Sequence, residues 1–439
     1  MSKKIIVAGA GHGGIIAAAK LAEKGYDVTV YEKKVKEELG YDWLDAIDIK
    51  IFNDVGLPLP DLSDIGFNGD MRFYNPAFSS PLTVASNGNG SAKFERKQLY
   101  KILLDYAEEK GVNFVFNTHI IGPIMDGLRV VGIETADGEV YGDMVIDAAG
   151  VNTPIRSKLP AGCNVDRDYA YGEVFYAYRA YFDKIEGHEP EVDYEVFLVP
   201  YGEKGISWTV TEKDCTDILI GRLVPLSKAE VEENLEKMRQ FSPQIGTKLL
   251  RGGGIYQIPV RRPLSVMVCD GYAAVGDSAY MTIPMNGSGI CASLRAGVML
   301  ADTIFADKNE EYSAKTLWNY NKRYILHFGL NFASIDILKN IMLSLSTEGL
   351  DFLFDKQIIT QNDLNFGQAK DSDGLAASDL LGRVARGISK LPTLLRTAGA
   401  LSKGDSAKKI YREIPEEYEE SAVLKWKRDV LNAHVLMER

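Results

Sequence analysis

The sequence predicts an α/β chain, α+β overall, with a parallel-sheet domain, an antiparallel-sheet domain and a helical C-terminal region. Three observations predict it. Residues 4–32 run strand, glycine-rich turn, helix, strand. Residues 171–222 alternate apolar and polar in short runs separated by turn residues. Beyond residue 330 the apolar positions fall at helical spacing, first over 332–345.

The first unit reads KIIVAGAGHGGIIAAAKLAEKGYDVTVYE. Gly9, Gly11 and Gly14 satisfy GxGxxG between a strand and a helix, with His12 and Gly13 inside the turn. Gly9 permits the tight turn, Gly11 lets backbone approach a pyrophosphate, and Gly14 lets the helix pack on the sheet. The helix N-terminus offers free N–H groups and a positive dipole end to phosphates. Glu32 ends the second strand, placed to accept from ribose hydroxyls, with Lys33 beside it. An acid there disfavours a 2′-phosphate. This is a Rossmann-like dinucleotide-binding unit.

Residues 269–304 complete it: CDGYAAVGDSAYMTIPMNGSGICASLRAGVMLADTI. A strand over 272–275 leads to Gly276 and Asp277, whose carboxylate can accept from a ribityl hydroxyl. A loop with Pro284, Gly287, Ser288 and Gly289 opens onto a helix beginning at Ile290. That helix start can set N–H donors against the flavin edge that becomes anionic on reduction.

These motifs resemble the FAD-dependent superfamily of p-hydroxybenzoate hydroxylase, most closely its geranylgeranyl reductase branch. The resemblance rests on GDSAYMTIPMNGSG at 276–289, on ICASLRAG after it, and on Arg96 opening the helix in AKFERKQLYKILLDYAEEKGV. It also rests on DMVIDAAGVNTPIRSKL at 143–159, where Gly150, Thr153 and Arg156 match and Ala149 replaces the hydroxylases' Asp. It covers about residues 1–330. It implies non-covalent FAD and places Arg96, Ala149 and Gly150 beside it. The Ala149 departure weighs against NADPH-driven hydroxylation. The cysteine motif that geranylgeranyl reductases often carry after the second strand is absent. Residues 37–57 stand there instead, with Tyr41, Asp42, Trp43 and Asp45 as either an active-site lip or a structural turn.

The expected FAD-binding domain is discontinuous, over 1–65, 91–160 and 268–330. The substrate domain takes 66–90 and 161–267, and 331–439 form the helical region. The alternating runs of the middle segment are dense in aromatics and form the substrate wall. A mostly charged helix is expected over 227–241. The basic, amphipathic stretch 379–412 is either a solvated face or a contact with a membrane surface or a second subunit.

Acidic residues outnumber basic ones, 61 to 50, which argues against a nucleic-acid partner. Cys163, Cys215, Cys269 and Cys291 lack metal spacing and read as reduced thiols, and the five histidines show no ligand pairing. The opening apolar run, 5–8, is too short for a signal peptide, and no apolar stretch is long enough to span a bilayer. A cytoplasmic location is expected.

Three functions compete. The first is reduction of a C=C bond in an apolar or aromatic small molecule, with electrons from NAD(P)H or a reduced protein carrier. Tyr280 is the candidate proton donor, against packing under the flavin, and Tyr41 and Trp43 are candidates for the opposite wall. The second is flavin-dependent monooxygenation. The third is electron transfer to a protein partner. An enclosed pocket favours an enzyme.

Overall fold

A computed structural model describes residues 3–60, 69–85, 91–364 and 391–435. Its central sheet runs in the order Val268–Cys269, Tyr272–Ala274, Met144–Asp147, Lys4–Ala8, Asp27–Tyr31, Asn113–Val115. All neighbours are parallel except the edge pair Val268–Cys269 and Tyr272–Ala274. The strand Lys4–Ala8 is apolar along its length because both the helix His12–Ala22 and the strand Arg129–Thr135 of a separate three-stranded sheet pack on it, and Ile5 to Ala8 are fully buried.

Two helices cross above the glycine turn, His12–Ala22 and Ile290–Ala306. Their backbones approach through Gly13 and Gly297. A Cβ on Gly297 would sit 2.3 Å from the Gly13 carbonyl oxygen. The sequence places these glycines 284 positions apart in two separate motifs, yet they form one contact.

The second large sheet has seven strands, in the order Ile245–Pro259, Val174–Lys184, Cys215–Arg222, Gly205–Thr211, Tyr194–Leu198, Met71–Tyr74, Leu82–Val84. The first five are antiparallel, as the alternation predicts. Met71–Tyr74 joins in parallel to Tyr194–Leu198 and so brings residues from before the third helix into the same sheet. The charged helix is Lys228–Phe241, with a full capping box between Ser227 and Glu230.

Two expectations change. The stretch 37–57 is not all loop. It holds a strand, Leu44–Asp48, paired with Ser91–Glu95, and a helix, Lys50–Val55. The C-terminal helices Leu391–Arg412 and Glu420–Val435 do not close a core of their own. Tyr411, Val423, Trp426 and Val430 are buried in the same apolar cluster as the central sheet. Of the basic stretch, 391–412 is helical and 379–390 lie outside the described residues. Among the described residues no single helix is long and apolar enough to cross a membrane.

Candidate cofactor groove and substrate cavity

The glycine turn is braced from within. The Glu32 carboxylate accepts from the Ala10 N–H at 2.8 Å and from the Lys34 N–H at 3.0 Å. Glu32 is buried, while Lys33 points to solvent. Behind the turn lies the 148–150 loop. A Cβ on Gly11 would meet the Ala148 carbonyl oxygen at 2.8 Å, and one on Gly9 the Ala149 Cα at 2.6 Å. Glycine is therefore required at both positions by protein packing as well as by any phosphate.

Ala149 and Gly150 are held by a carboxylate that the sequence reading did not single out. Asp147 ends its strand fully buried and accepts from the Ala149 N–H at 3.1 Å, Thr153 Oγ1 at 2.8 Å, Tyr272 at 2.9 Å and Ser278 Oγ at 3.0 Å. Ser278 Oγ also accepts from the Gly150 N–H at 2.9 Å. The hub welds the 148–150 loop to the Gly276–Ala279 turn. Its signal in the sequence is an acid closing an apolar strand.

Around the open side of the turn stand His12, Arg96, Tyr41, Tyr100 and Asp277. Arg96 opens the helix Arg96–Glu109 and binds Asp45 through two hydrogen bonds, Nε to Oδ2 at 2.6 Å and Nη2 to Oδ1 at 2.7 Å. Its guanidinium lies 5.0 Å from the Tyr41 ring and 4.8 Å from the Trp43 ring. It is a paired, largely buried charge. Burial pulls the Asp45 carboxyl upward, but Arg96 outweighs it and holds the group below the ordinary range. Asp277 sits deep in the groove with part of its surface open to it. Burial raises its carboxyl to about 6, with Arg96 opposing. The His12 ring packs against Tyr100, with centroids 4.7 Å apart and the planes tilted by 46°. Burial first, and the Arg96 charge second, lower its imidazole to about 3, so it is neutral near pH 7.

This groove fits a dinucleotide. His12 Nε2 is buried without a protein partner, a polar atom that a bound molecule would satisfy. The glycine turn, Glu32, His12, Arg96 and Asp277 line one path, positive at the helix start and acidic at both ends. Beyond Asp277, Gly287 and Ser288 lie in a tight turn in which the Gly287 N–H donates to the Ile283 carbonyl at 2.9 Å and the Ser288 N–H to Asn286 Oδ1 at 3.0 Å. Gly289 then caps the helix at Ile290.

Of the catalytic candidates, Tyr41 and Trp43 meet. They pack against Tyr256 on the strand Ile245–Pro259, at 4.0 Å from Tyr41 and 4.9 Å from Trp43. Tyr280 stands apart. It is fully buried with φ +58°, its hydroxyl accepts from Arg156 Nη2 at 2.6 Å, and the Arg156 and Arg261 guanidiniums lie 4.4 and 4.7 Å from its ring. This geometry suits a packing role.

Next to Pro284 the seven-stranded sheet and the helices Leu330–Ser344 and Thr347–Asp355 line an apolar pocket that is partly open to solvent. Phe175, Leu198 and Ile206 line it from the sheet, Pro284 and Met285 from the loop, Leu350 and Phe354 from the helices. Lys339 is the single charged residue in its wall. The ammonium is drawn off to Asp336 and the Val260 carbonyl, so the alkyl stem faces the apolar space. A pocket of this character suits an apolar molecule.

A Rossmann-like groove with an apolar pocket beside the Pro284 loop is the architecture of a dinucleotide-binding oxidoreductase. Comparison with known proteins agrees. Residues 87–303 match the family described as FAD dependent oxidoreductase, and 7–42 match the NAD(P)-binding Rossmann-like domain. The digeranylgeranylglycerophospholipid reductase of Sulfolobus acidocaldarius is 26% identical over 98% of this chain and 96% of its own length. That of Haloferax volcanii is 26% identical over 72% of this chain and 80% of its own. A geranylgeranyl bacteriochlorophyll reductase-like protein from Thermoplasma acidophilum shares the fold, with a TM-score of 0.70 at 18% identity over 91% of this chain and 99% of its own. The chain is an FAD-dependent oxidoreductase, and FAD is its cofactor.

Proposed function

We propose that this oxidoreductase reduces a C=C bond in a long apolar chain, of the isoprenoid kind named for its relatives. The observation that carries the reading is the apolar cavity opening at the Pro284–Met285 loop. Bound FAD, once reduced, supplies hydride to one alkene carbon. The protein's part is to hold the chain against the loop, exclude water and admit a proton to the other carbon. Phe175, Leu198, Ile206 and Phe354 bind by burying apolar surface, about 25 cal/mol per Å². Glu32, His12, Arg96 and Asp277 would hold the cofactor, and the helix start at Ile290 would offer it a positive dipole end. Electrons come from NAD(P)H or a reduced protein carrier. The cavity is superfluous for a protein that only passes electrons to a partner.

The test is anaerobic. Reduced holoprotein mixed with a polyprenyl lipid should be reoxidised, with the lipid gaining two hydrogens per flavin and no hydrogen peroxide. Turnover that requires O₂, with oxygen entering the product, would replace this reading with monooxygenation.

A further inference from the structure

Between the cofactor groove and the apolar cavity lies a cluster that neither the glycine motifs nor the cavity explains. Arg179 is buried at the centre of the strand Val174–Lys184. Its Nε and Nη2 bind Asp217 Oδ1 and Oδ2 at 2.9 and 2.6 Å. The same guanidinium lies 5.4 Å from the Trp43 ring and 5.5 Å from the Trp208 ring. One charge thus sits beside two indoles, one from the 37–57 segment and one from the sheet.

Both indole nitrogens are buried and neither has a hydrogen-bond partner. Trp43 is only 3% exposed. A buried N–H left unpaired costs about 1–3 kcal/mol. Such groups are rare enough that two beside one guanidinium call for an acceptor. The protein supplies its other polar groups here with partners: Arg179 has Asp217 and Arg96 has Asp45. An acceptor on a bound molecule would pair both.

The cluster continues the cavity. Arg179, Leu219 and Trp208 are register partners across three adjacent strands, so their side chains share one face of the sheet. Ile206, two residues before Trp208 on that face, lines the cavity, as does Phe175 on the strand that carries Arg179. An apolar chain in the cavity, followed along this face past Ile206, would thus reach the Trp208 indole, with the Trp43 indole of the 37–57 segment beside the same Arg179. Because both nearby arginines are already paired, a neutral oxygen matches the site better than a full anion.

We infer that Trp43 and Trp208, positioned by Arg179, form a binding site for a neutral hydrogen-bond-accepting oxygen at one end of the apolar ligand. The inference rests on the cavity being the ligand site. It does not require that the reaction be a reduction, because it concerns binding to the oxidised enzyme. Trp43 and Trp208 become specificity-determining residues, selecting an oxygenated chain over a hydrocarbon of the same length. A site built to pair an oxygen discriminates strongly against the analogue that lacks it.

The test uses oxidised, FAD-loaded protein and a matched pair of ligands, a polyprenyl alcohol and the hydrocarbon of the same skeleton. Dissociation constants are read from the change in flavin absorbance. The unaltered protein should prefer the alcohol. Trp43→Phe and Trp208→Phe should each weaken the alcohol roughly 5- to 10-fold, the scale of one hydrogen bond, and leave the hydrocarbon unchanged. Equal weakening of both ligands would overturn the inference, leaving the indoles as packing alone. Unchanged alcohol affinity would overturn it too, and a simultaneous rise in the FAD dissociation constant would assign the donors to the cofactor. The two variants lie on different segments, so one that fails to fold leaves the other decisive. Failure of anaerobic alkene reduction would sink the proposed reaction and leave this binding result standing.

Discussion

Arg96 and Asp45 form a bidentate ion pair that ties the start of the helix Arg96–Glu109 to the strand Leu44–Asp48. Their side chains are 14% and 13% exposed, so the pair is largely shielded from solvent screening. It also fixes Arg96 between Tyr41 and Trp43 at the edge of the cofactor groove.

Breaking one partner of such a pair leaves an uncompensated buried charge. Asp45→Asn should therefore lower the stability of the protein by roughly 3–5 kcal/mol, read from denaturant unfolding. FAD should also bind more weakly, because Arg96 loses the contact that orients it. A stability change below about 1 kcal/mol would place the pair with ordinary surface ion pairs.

FAD affinity should depend on pH through Asp277. Burial raises its carboxyl to about 6, so the group is ionised above that value and protonated below it. The ionised form accepts from cofactor hydroxyls, so affinity should fall as the pH drops through about 6. For the protein without FAD the sign is opposite. A carboxyl raised in the folded state favours folding at low pH, and that contribution is lost as the pH rises through about 6. His12, lowered to about 3, should add no inflection between pH 5 and 8. Titrating FAD binding across this range tests the assignment: Asp277→Asn should abolish the inflection and His12→Gln should retain it.

Gly11→Val should yield protein without the visible absorbance of flavin. The new side chain would begin 2.8 Å from the Ala148 carbonyl oxygen and extend into the pyrophosphate path. Glu32→Ala should weaken FAD by at least roughly 1–3 kcal/mol, since Glu32 also braces the turn through the Ala10 N–H. Isothermal titration of both variants checks this. Unchanged affinity in either one would remove that residue from the cofactor site.

Tyr280→Phe should keep both FAD and turnover. Its hydroxyl faces Arg156 in the interior, so the expected loss is one hydrogen bond to a charged group, about 1.5–3 kcal/mol of stability. Loss of turnover with intact flavin reduction would instead restore Tyr280 as proton donor.

Cavity volume should govern chain binding. Ile206→Trp fills space between the sheet and the helix Leu330–Ser344, and should raise KM for a polyprenyl lipid without changing FAD content. A KM within twofold of the unaltered protein would argue that the chain binds elsewhere.

The sequence by itself determined the dinucleotide unit. Gly9, Gly11, Gly14 and Glu32 lie within one strand–turn–helix–strand segment, where local backbone geometry dictates residue type at each step. The same holds for the alternation that marks the antiparallel strands and for the Ser227–Glu230 cap, both governed by neighbours a few residues away. Tertiary structure decided the rest, because its contacts join residues far apart in the chain. Asp45 meets Arg96, Gly13 meets Gly297, and Trp43 and Trp208 meet at Arg179 only once the sheets are assembled. The apolar cavity draws its walls from the sheet, the Pro284 loop and two C-terminal helices, and each wall alone reads as ordinary core. Tyr280 shows the converse: its place in the sequence says only that it follows a motif, and the fold gives it a left-handed backbone and a hydrogen bond from Arg156.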